Sequence, residues 1–228
     1  MNKKTVVGIA TIGQSPRVDV VPELKEMAGV GGEYIECGAL DGLSLPEIER
    51  LAPEKGQYML VTRLSDGSHV RLARDKIIEK MQKCIDSLVY HGADLVIVLC
   101  VGKWPKFRSK KLVITPSEPL CGFALGLVRE GDTLGLIVPA EDQIDDFKGK
   151  YSKDGVEIVA AAASPYGSTA KDEGMRAAEM LKQRDVDLVV MDCPGYTLEI
   201  KDAVQGITEK PVITVRTAIA SMIKQLVG

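Results

Sequence analysis

Short runs of apolar residues alternate along the chain with longer segments in which apolar positions recur every three or four residues. The runs are rich in β-branched side chains, which is typical of parallel strands buried on both faces. The longer segments are typical of helices with one apolar face, and residues 75–90, with Ile77, Met81 and Ile85 in register, are the clearest example. Strands that alternate with helices over the whole length predict an α/β fold with mostly parallel sheets.

One strand pattern occurs twice. Residues 93–102 have the sequence ADLVIVLCVG and return at residues 186–195 as VDLVVMDCPG, with the Asp-Leu-Val start, the cysteine and the glycine in register. The segment KLVIT at residues 111–115 similarly returns as KPVIT at residues 210–214. A repeat of this kind predicts two similar lobes, each built on its own sheet.

The first half of the repeat is the longer one. A Val-Gly-Ile motif around Gly8 is echoed by Leu-Gly-Leu around Gly135, and 92 residues separate Gly8 from Cys100 whereas 58 separate Gly135 from Cys193. The difference of 34 residues matches an insertion at about residues 40–73. Within it, two alternating segments flank a Ser-Asp-Gly-Ser turn at residues 65–68, which predicts a β-hairpin.

We therefore expect an α/β fold of two pseudo-symmetric lobes, each a small, mostly parallel sheet flanked by helices, with a β-hairpin inserted in the first lobe. The expected first lobe spans residues 1–115 and the second spans residues 116–212. Residues 213–228 are expected to pack back onto the first lobe.

Charge and composition exclude several classes of partner. The chain has 29 basic and 32 acidic residues, a net charge of −3, and only 4% aromatic residues, so we expect no nucleic acid partner. No run of 18 apolar residues occurs, so we expect no membrane span. The two histidines, His69 and His91, have no partner at metal-binding spacing, so no metal site is expected.

The five cysteines are Cys37, Cys84, Cys100, Cys121 and Cys193, and their number is odd and their spacing irregular. This pattern predicts no disulfide framework, and a reducing cytoplasm is the expected setting. Cys84 lies on the apolar face of the predicted helix at residues 75–90, where we expect it to pack in the core.

Two of these cysteines have a position suited to chemistry. Cys100 and Cys193 follow the two repeated strands, and in open α/β sheets ligands bind beyond the carboxyl ends of the strands. A thiolate is a good base once its pKa is lowered, and an opposed thiol that keeps its proton is an acid. Such a pair can invert a carbon next to a carboxylate without a cofactor, and its two members titrate as one coupled unit.

This arrangement resembles the aspartate/glutamate/hydantoin racemase superfamily, whose members use two facing cysteines and no cofactor. The segments TIGQSPR at residues 11–17 and MDCPG at residues 191–195 together resemble the AroM family, a branch of that superfamily. The resemblance covers essentially the full length. Racemases typically have Asn-Thr or Thr after their cysteines, and this chain instead has Val-Gly after Cys100 and Pro-Gly after Cys193.

That difference removes side chains expected to hold a substrate carboxylate, so other residues near the predicted strand ends become candidates. Ser15 and Pro16 are expected to begin a helix, whose amides would form an anion site with Gln14. Asp192 is a candidate to orient a substrate amine or to raise the pKa of the Cys193 thiol, and its alternative role is to cap the next turn. The full set of substrate-binding candidates is Thr11, Gly13, Gln14, Ser15, Arg17, Thr115, Ser117, Asp192, Gly195, Thr214 and Arg216.

The first functional hypothesis is a cofactor-independent racemase or epimerase that acts on a small carboxylate, such as an amino acid, with Cys100 and Cys193 as acid and base. One alternative is a decarboxylase or cis-trans isomerase of a small diacid in which Cys193 alone acts. Another is a binding or regulatory protein without catalysis. A homodimer is an open alternative to a monomer, and Arg63 and His69 on the predicted hairpin are candidates for a lid or a subunit contact.

Overall fold

The computed structural model describes residues 4–228. These residues form two compact units: the first extends to Pro116 and includes Ile219–Gly228, and the second is Ser117–Ala218. No helix within residues 4–228 is long and apolar enough to cross a membrane.

The first unit is built on a four-stranded sheet with the strand order β2-β1-β5-β6, and all neighbouring strands in it are parallel. A separate antiparallel hairpin, β3 and β4, lies between the second and third strands of this sheet in the sequence. The elements are β1 (Val6–Thr11), α1 (Val21–Ala28), β2 (Glu33–Gly38), α2 (Leu45–Glu49), β3 (Met59–Arg63), β4 (His69–Ala73), α3 (Arg74–Tyr90), β5 (Leu95–Val98) and β6 (Leu112–Ile114).

The second unit repeats this arrangement without the hairpin. Its strand order, β8-β7-β9-β10, is again parallel throughout and matches β2-β1-β5-β6 strand for strand. The fold-class prediction is therefore confirmed, including the hairpin. The elements are α4 (Ser117–Leu127), β7 (Thr133–Val138), α5 (Ile144–Lys150), β8 (Glu157–Ala162), α6 (Ala170–Lys182), β9 (Leu188–Met191), α7 (Leu198–Thr208) and β10 (Val212–Thr214), with a short 3-10 turn before α5. The last helix, α8 (Val215–Val227), begins in the second unit, and its residues from Ile219 onwards belong to the first.

The central strands carry the strongest hydrophobic pattern because both of their faces are covered. Every residue of β5 and of β9 is buried, as expected for inner strands of parallel sheets. Burial of such β-branched and aliphatic side chains supplies the main free energy of folding, at about 25 cal/mol per Å² of apolar surface. Because β5 and β9 are buried, their carboxyl ends are fixed in position. Cys100 lies shortly after the end of β5, and Cys193 lies shortly after the end of β9.

Gly8 in β1 and Gly135 in β7 occupy equivalent positions. A Cβ at Gly8 would lie 3.1 Å from the Cβ of Ala93, and a Cβ at Gly135 would lie 3.1 Å from Cδ1 of Leu181. Such distances are tighter than most real contacts, so glycine lets neighbouring side chains approach the strand closely in each unit. The weak sequence echo between these glycines therefore reflects a shared packing requirement.

One helix prediction was wrong, and one helix was not predicted. Ser15 and Pro16 do not begin a helix, since α1 begins at Val21 and has Pro22 in its first turn. The sequence pattern also missed α7, which begins after Thr197, whose hydroxyl accepts a hydrogen bond from Ile200 N at 3.2 Å. That threonine is a standard N-cap signal.

The expectation that the cysteines form no disulfide was also wrong. Cys37 at the end of β2 is bonded to Cys84 in α3. Cys84 is nevertheless buried in the hydrophobic core of the first unit, as predicted from the face of the helix on which it lies. Cys100, Cys121 and Cys193 are thiols.

Candidate functional site

Cys100 lies in a tight turn directly after β5. The thiol is buried, with 7% of the residue exposed, and its sulfur accepts a hydrogen bond from the backbone N–H of Gly102 at 3.4 Å. Gly102 is closely covered by the hairpin, because a Cβ there would lie only 2.7 Å from Cδ2 of Leu60. The inserted hairpin therefore shapes the surroundings of this thiol.

Cys193 has the same local geometry in the second unit. The residue is 6% exposed, and its sulfur accepts a hydrogen bond from the backbone N–H of Gly195, also at 3.4 Å. A Cβ at Gly195 would lie 2.8 Å from both Pro165 Cγ and Tyr166 Cε1, so this position requires glycine. A backbone N–H that points at a sulfur favours the thiolate over the thiol. Each unit thus places one nearly buried cysteine against the backbone N–H of the glycine two residues later.

Arg216 holds the turn that follows Cys193. Its Nε donates to the carbonyl oxygen of Pro194 at 2.7 Å and its Nη2 donates to that of Gly195 at 3.1 Å. The side chain is almost fully buried, at 2% exposure. The sequence suggested Arg216 as a substrate contact, and in the structure these two hydrogen bonds hold the backbone of the turn after Cys193.

A buried ion pair lies on the other side of Cys193 in the sequence. Asp192 is completely buried, and its Oδ2 lies 2.7 Å from Nζ of Lys150, at the end of α5. Burial raises the pKa of Asp192, while the Lys150 ammonium acts in the opposite direction. Sequence reasoning missed Lys150, because nothing in the surface-like sequence of α5 distinguishes it from its lysine neighbour, Lys148.

The phenol of Tyr196 anchors the loop that follows Cys193. The side chain is fully buried and its hydroxyl donates to the carbonyl oxygen of Ala163 at 2.6 Å. Burial raises the pKa of Tyr196, and the negative charge of a Cys193 thiolate adds to that shift. Sequence reasoning missed this residue too, although a tyrosine two residues after a Cys-Pro pair in a buried turn is a usable signal.

In the first unit, Arg17 and Thr11 come together at the end of β1. Arg17 is 3% exposed, and its Nη1 donates to Thr11 Oγ1 at 3.2 Å. Its Nε and Nη2 donate to the two carboxylate oxygens of Asp19 at 2.8 and 2.9 Å. Burial of Asp19 opposes its charge, but the hydrogen bond and charge of Arg17 outweigh that effect and lower its pKa. Most of the Arg17 guanidinium is therefore committed within the protein.

The turn after β1 is tied to its neighbours. Ser15 donates its backbone N–H to Asp41 Oδ1 at 2.7 Å and its hydroxyl to Oδ2 at 2.5 Å. Gln14 Oε1 accepts hydrogen bonds from the backbone N–H and the hydroxyl of Ser65, both at 2.8 Å. A Cβ at Gly13 would overlap the carbonyl oxygen of Arg63 and lie 2.5 Å from Thr62 Oγ1. Gly13 and Gln14 thus lie against the hairpin and Ser15 is held by Asp41, and the three residues do not form the helix-terminus anion site that the sequence suggested.

The remaining candidates lie at strand ends. Thr115 directly follows β6 and is partly buried, and Ser117 begins α4 and is 7% exposed. Thr214 ends β10, is fully buried, and accepts a hydrogen bond from Thr217 N at 3.2 Å, so it acts as a cap for α8. On the hairpin, Arg63 pairs with His69 across the two strands.

No group of three His, Cys, Asp or Glu side chains within residues 4–228 is arranged to hold a metal ion. Each unit supplies one buried thiol whose sulfur accepts a hydrogen bond from a backbone N–H. Chemically, such groups can accept and return protons.

Three solved structures show what the fold is similar to. Glutamate racemase from Aquifex pyrophilus is 17% identical, with a TM-score of 0.58 over 98% of this chain and 84% of that one. Arylmalonate decarboxylase is 15% identical, with a TM-score of 0.57 over 98% and 92%. Glutamate racemase from Francisella tularensis in complex with D-glutamate is 13% identical, with a TM-score of 0.57 over 98% and 81%. At these identities the likeness shows the shared fold.

Sequence comparison identifies the family. No curated protein matches the chain significantly. The family model described as AroM protein matches residues 7–227, which is nearly the whole chain. The protein therefore belongs to the AroM family.

Proposed function

We propose that the protein is a cofactor-independent isomerase of the racemase or epimerase type that acts on a small carboxylate such as an amino acid. The observation that carries this proposal is the matched geometry of Cys100 and Cys193. Each follows an inner strand, each is nearly buried, and each sulfur accepts an N–H from the glycine two residues later at 3.4 Å. Two thiols at equivalent positions of the two units are suited to serve as an acid and base pair.

The reaction begins with one cysteine as thiolate and the other as thiol. The thiolate removes the proton from the carbon next to the substrate carboxylate, and the electron pair of the broken C–H bond remains on that carbon and its carboxylate. The thiol then donates its proton to the opposite face of the carbon. The configuration is inverted, and the two cysteines have exchanged protonation states. The proposal requires both sulfurs to reach one substrate carbon.

Backbone N–H groups near the thiols are suited to stabilise the negative charge that develops during this reaction. Glycine at residues 102 and 195 allows these backbone N–H groups to lie close to the sulfurs. A side chain at residue 102 would collide with Leu60, and one at residue 195 would collide with Pro165 and Tyr166. Thr115 and Gln14 are the proposed side-chain contacts to the substrate carboxylate. Among the remaining candidates, Ser15 and Arg216 hold turns in place through their hydrogen bonds. We expect the reaction to need no added cofactor.

A second candidate function is the decarboxylation of a small diacid by Cys193 alone. The structural similarity to arylmalonate decarboxylase supports it as a possible use of the fold. The two thiols also differ in one respect, since Asp192 beside Cys193 is charged whereas Leu99 beside Cys100 is apolar. In this reaction the substrate loses CO2, the electron pair of the broken C–C bond stays on carbon, and the Cys193 thiol supplies the proton that completes the product.

The experiment is incubation of the protein with amino acids, hydroxy acids and malonate-type diacids in deuterated water, followed by proton NMR. Loss of the α-proton signal together with formation of the other enantiomer supports the isomerase. Release of CO2 that depends on Cys193 and not on Cys100 contradicts it in favour of the decarboxylase. Tight binding of a carboxylate without exchange or CO2 release contradicts both and leaves a binding protein.

A further inference from the structure

Trp104, the only tryptophan of the chain, carries a buried hydrogen-bond donor that the protein does not pair. Its indole Nε1 has no hydrogen-bond partner within residues 4–228. An indole N–H donates and cannot accept, so its partner has to be an acceptor. Native structures seldom leave a buried donor unpaired, because the loss of its hydrogen bond to water costs free energy. The indole nitrogen is therefore suited to an acceptor oxygen that a ligand brings.

The indole nitrogen and the sulfur of Cys100 border the same residue. A Cβ at Gly102 would lie 3.5 Å from the Cys100 sulfur and 3.6 Å from Nε1 of Trp104. In a carboxylate next to a carbon acid, that carbon and a carboxylate oxygen are only two covalent bonds apart. One small carboxylate can therefore present its carbon to the sulfur and its oxygen to the indole N–H.

The hairpin covers this part of the first unit with polar groups as well as apolar ones. Leu60 packs on Gly102, and Thr62 follows two residues later on the same buried face of β3. Thr62 is 1% exposed, its Oγ1 also has no partner in the described part of the chain, and it packs on Gly13. Gly13 and Gly102 follow β1 and β5, which are neighbours in the sheet. The ends of these two strands thus meet polar groups that are left for a ligand.

The segment that carries Trp104 is held in place. The Trp104 ring packs against that of Phe107, with 5.7 Å between the ring centroids. Nη1 of Arg74 donates to the carbonyl oxygen of Lys103 at 3.2 Å. The indole N–H is thus preorganised, which lowers the cost of binding a partner.

The same segment favours an anion. Residues 103–111 contain five lysine and arginine residues and no aspartate or glutamate. Clustered positive charge raises the local concentration of anions. A neutral donor in such a segment suits a carboxylate better than a neutral or cationic group.

We propose that Trp104 is a substrate-binding residue, whose indole N–H donates a hydrogen bond to the substrate carboxylate while the Cys100 sulfur faces the adjacent carbon. The inference rests on the proposed function, because it adds a donor for the carboxylate of the proposed substrate to Gln14 and Thr115. It assigns the recognition of that carboxylate in part to the first unit.

The test uses iodoacetate and iodoacetamide, which differ only in having a carboxylate or an amide next to the reacting carbon. In both reactions a cysteine thiolate displaces iodide from that carbon. The folded protein is treated with each reagent, and modification of the Cys100 peptide is followed by mass spectrometry. The ratio of the two rates, divided by the same ratio for free cysteine, gives the carboxylate preference at Cys100. Alkylation needs no turnover, so its outcome is independent of whether the isomerase reaction is found.

We expect wild type to show a carboxylate preference of about tenfold at Cys100, as expected for one hydrogen bond to a charged group. Trp104→Phe keeps an aromatic ring against Phe107 and lacks the N–H, so it should remove most of this preference. The rate ratio at Cys121 should stay the same in the variant. The matched control is Lys106→Met, which removes one exposed charge from the same segment and should change the preference by less than about twofold.

Absence of a carboxylate preference in wild type would overturn the proposal, and so would a preference that survives in Trp104→Phe. A loss in Lys106→Met as large as that in Trp104→Phe would contradict the role of the indole, because charge alone would then select the anion. Circular dichroism shows whether each variant is folded. If Trp104→Phe does not fold, tryptophan fluorescence of wild type decides: emission should differ between protein modified at Cys100 by iodoacetate and by iodoacetamide, and identical emission contradicts the proposal.

Discussion

The backbone N–H of Gly195 donates to the sulfur of Cys193 across 3.4 Å, and it can do so because the residue has no side chain. Any Cβ at this position would press on Pro165 and Tyr166 at 2.8 Å. The turn after Cys100 has the same N–H to sulfur contact. Two units with different surroundings therefore arrive at the same arrangement around a thiol.

Substitution of Gly195 should affect both stability and the thiol. Gly195→Ala forces the turn or Tyr166 to move, so we expect a loss of about 1 to 3 kcal/mol in the free energy of unfolding. The N–H would also leave the Cys193 sulfur, which should slow α-proton exchange at least about tenfold. Urea unfolding and NMR exchange check the two effects.

The control for this substitution is Gly122→Ala in α4, where an added Cβ meets nothing within 4 Å. That change should leave exchange unaltered and stabilise the protein slightly, as alanine favours a helix. Equal effects of the two substitutions would contradict the role assigned to Gly195.

Loss of Arg216 should destabilise the second unit. Its guanidinium bonds the carbonyl oxygens of Pro194 and Gly195, and Arg216→Ala leaves both buried without these donors. We expect a decrease of about 3 kcal/mol in the free energy of unfolding, measured with urea. Arg184→Ala removes an arginine that is 62% exposed and should change stability by less than about 0.5 kcal/mol. A similarly small change in the free energy of unfolding for Arg216→Ala would show that these two hydrogen bonds do not stabilise the protein.

The stability of the protein should fall in acid partly because of Asp19. The pKa of Asp19 is lowered from its ordinary 3.8, since the hydrogen bond and charge of Arg17 outweigh the effect of burial. A group whose folded-state pKa is depressed stabilises the protein above its unfolded pKa, and that contribution is lost as the pH falls through the folded-state value. Asp19→Asn should therefore flatten the fall in unfolding free energy below about pH 4. Urea titrations at several pH values measure this slope, and Glu79→Gln on the exposed face of α3 is the control. An unchanged slope in Asp19→Asn would contradict the prediction.

Reduction of the bond between Cys37 and Cys84 should lower stability. The bond closes a loop with a sequence separation of 47 residues, for which chain entropy gives about 4 kcal/mol. Unfolding in urea with and without a reducing agent measures the difference, and Cys84→Ala should match the reduced protein apart from a core cavity. Identical stability under both conditions would mean that the two sulfurs are not joined in solution.

The repeat in the sequence predicted the fold well because it reflects how the inner strands of the two sheets are packed. Inner strands of parallel sheets must be apolar on both faces, so β5 and β9 are easily recognised. The matched Cys-x-Gly segments follow these strands at equivalent positions. The hairpin was equally visible, since its alternation and Gly67 turn are local signals. Local rules also placed Cys84 correctly in the core.

The roles of the polar residues could not be predicted in the same way. Lys150 and Asp192 are 42 residues apart, and the ion pair exists because two elements meet, which no local pattern records. Arg216 was a candidate substrate contact, and only the structure shows that its guanidinium donates to the turn after Cys193. The bond between Cys37 and Cys84 likewise depends on β2 lying beside α3. Sequence therefore indicated which residues to consider, and three-dimensional contacts decided their partners.

The most direct test of the two-cysteine mechanism follows each enantiomer of a turned-over amino acid separately in deuterated water. Wild type should exchange the α-proton of both enantiomers and interconvert them. Cys100→Ser and Cys193→Ser should each abolish interconversion while retaining exchange of one enantiomer, a different one for each variant, because the remaining cysteine reaches one face of the carbon. Interconversion at the wild-type rate in either variant would contradict the account.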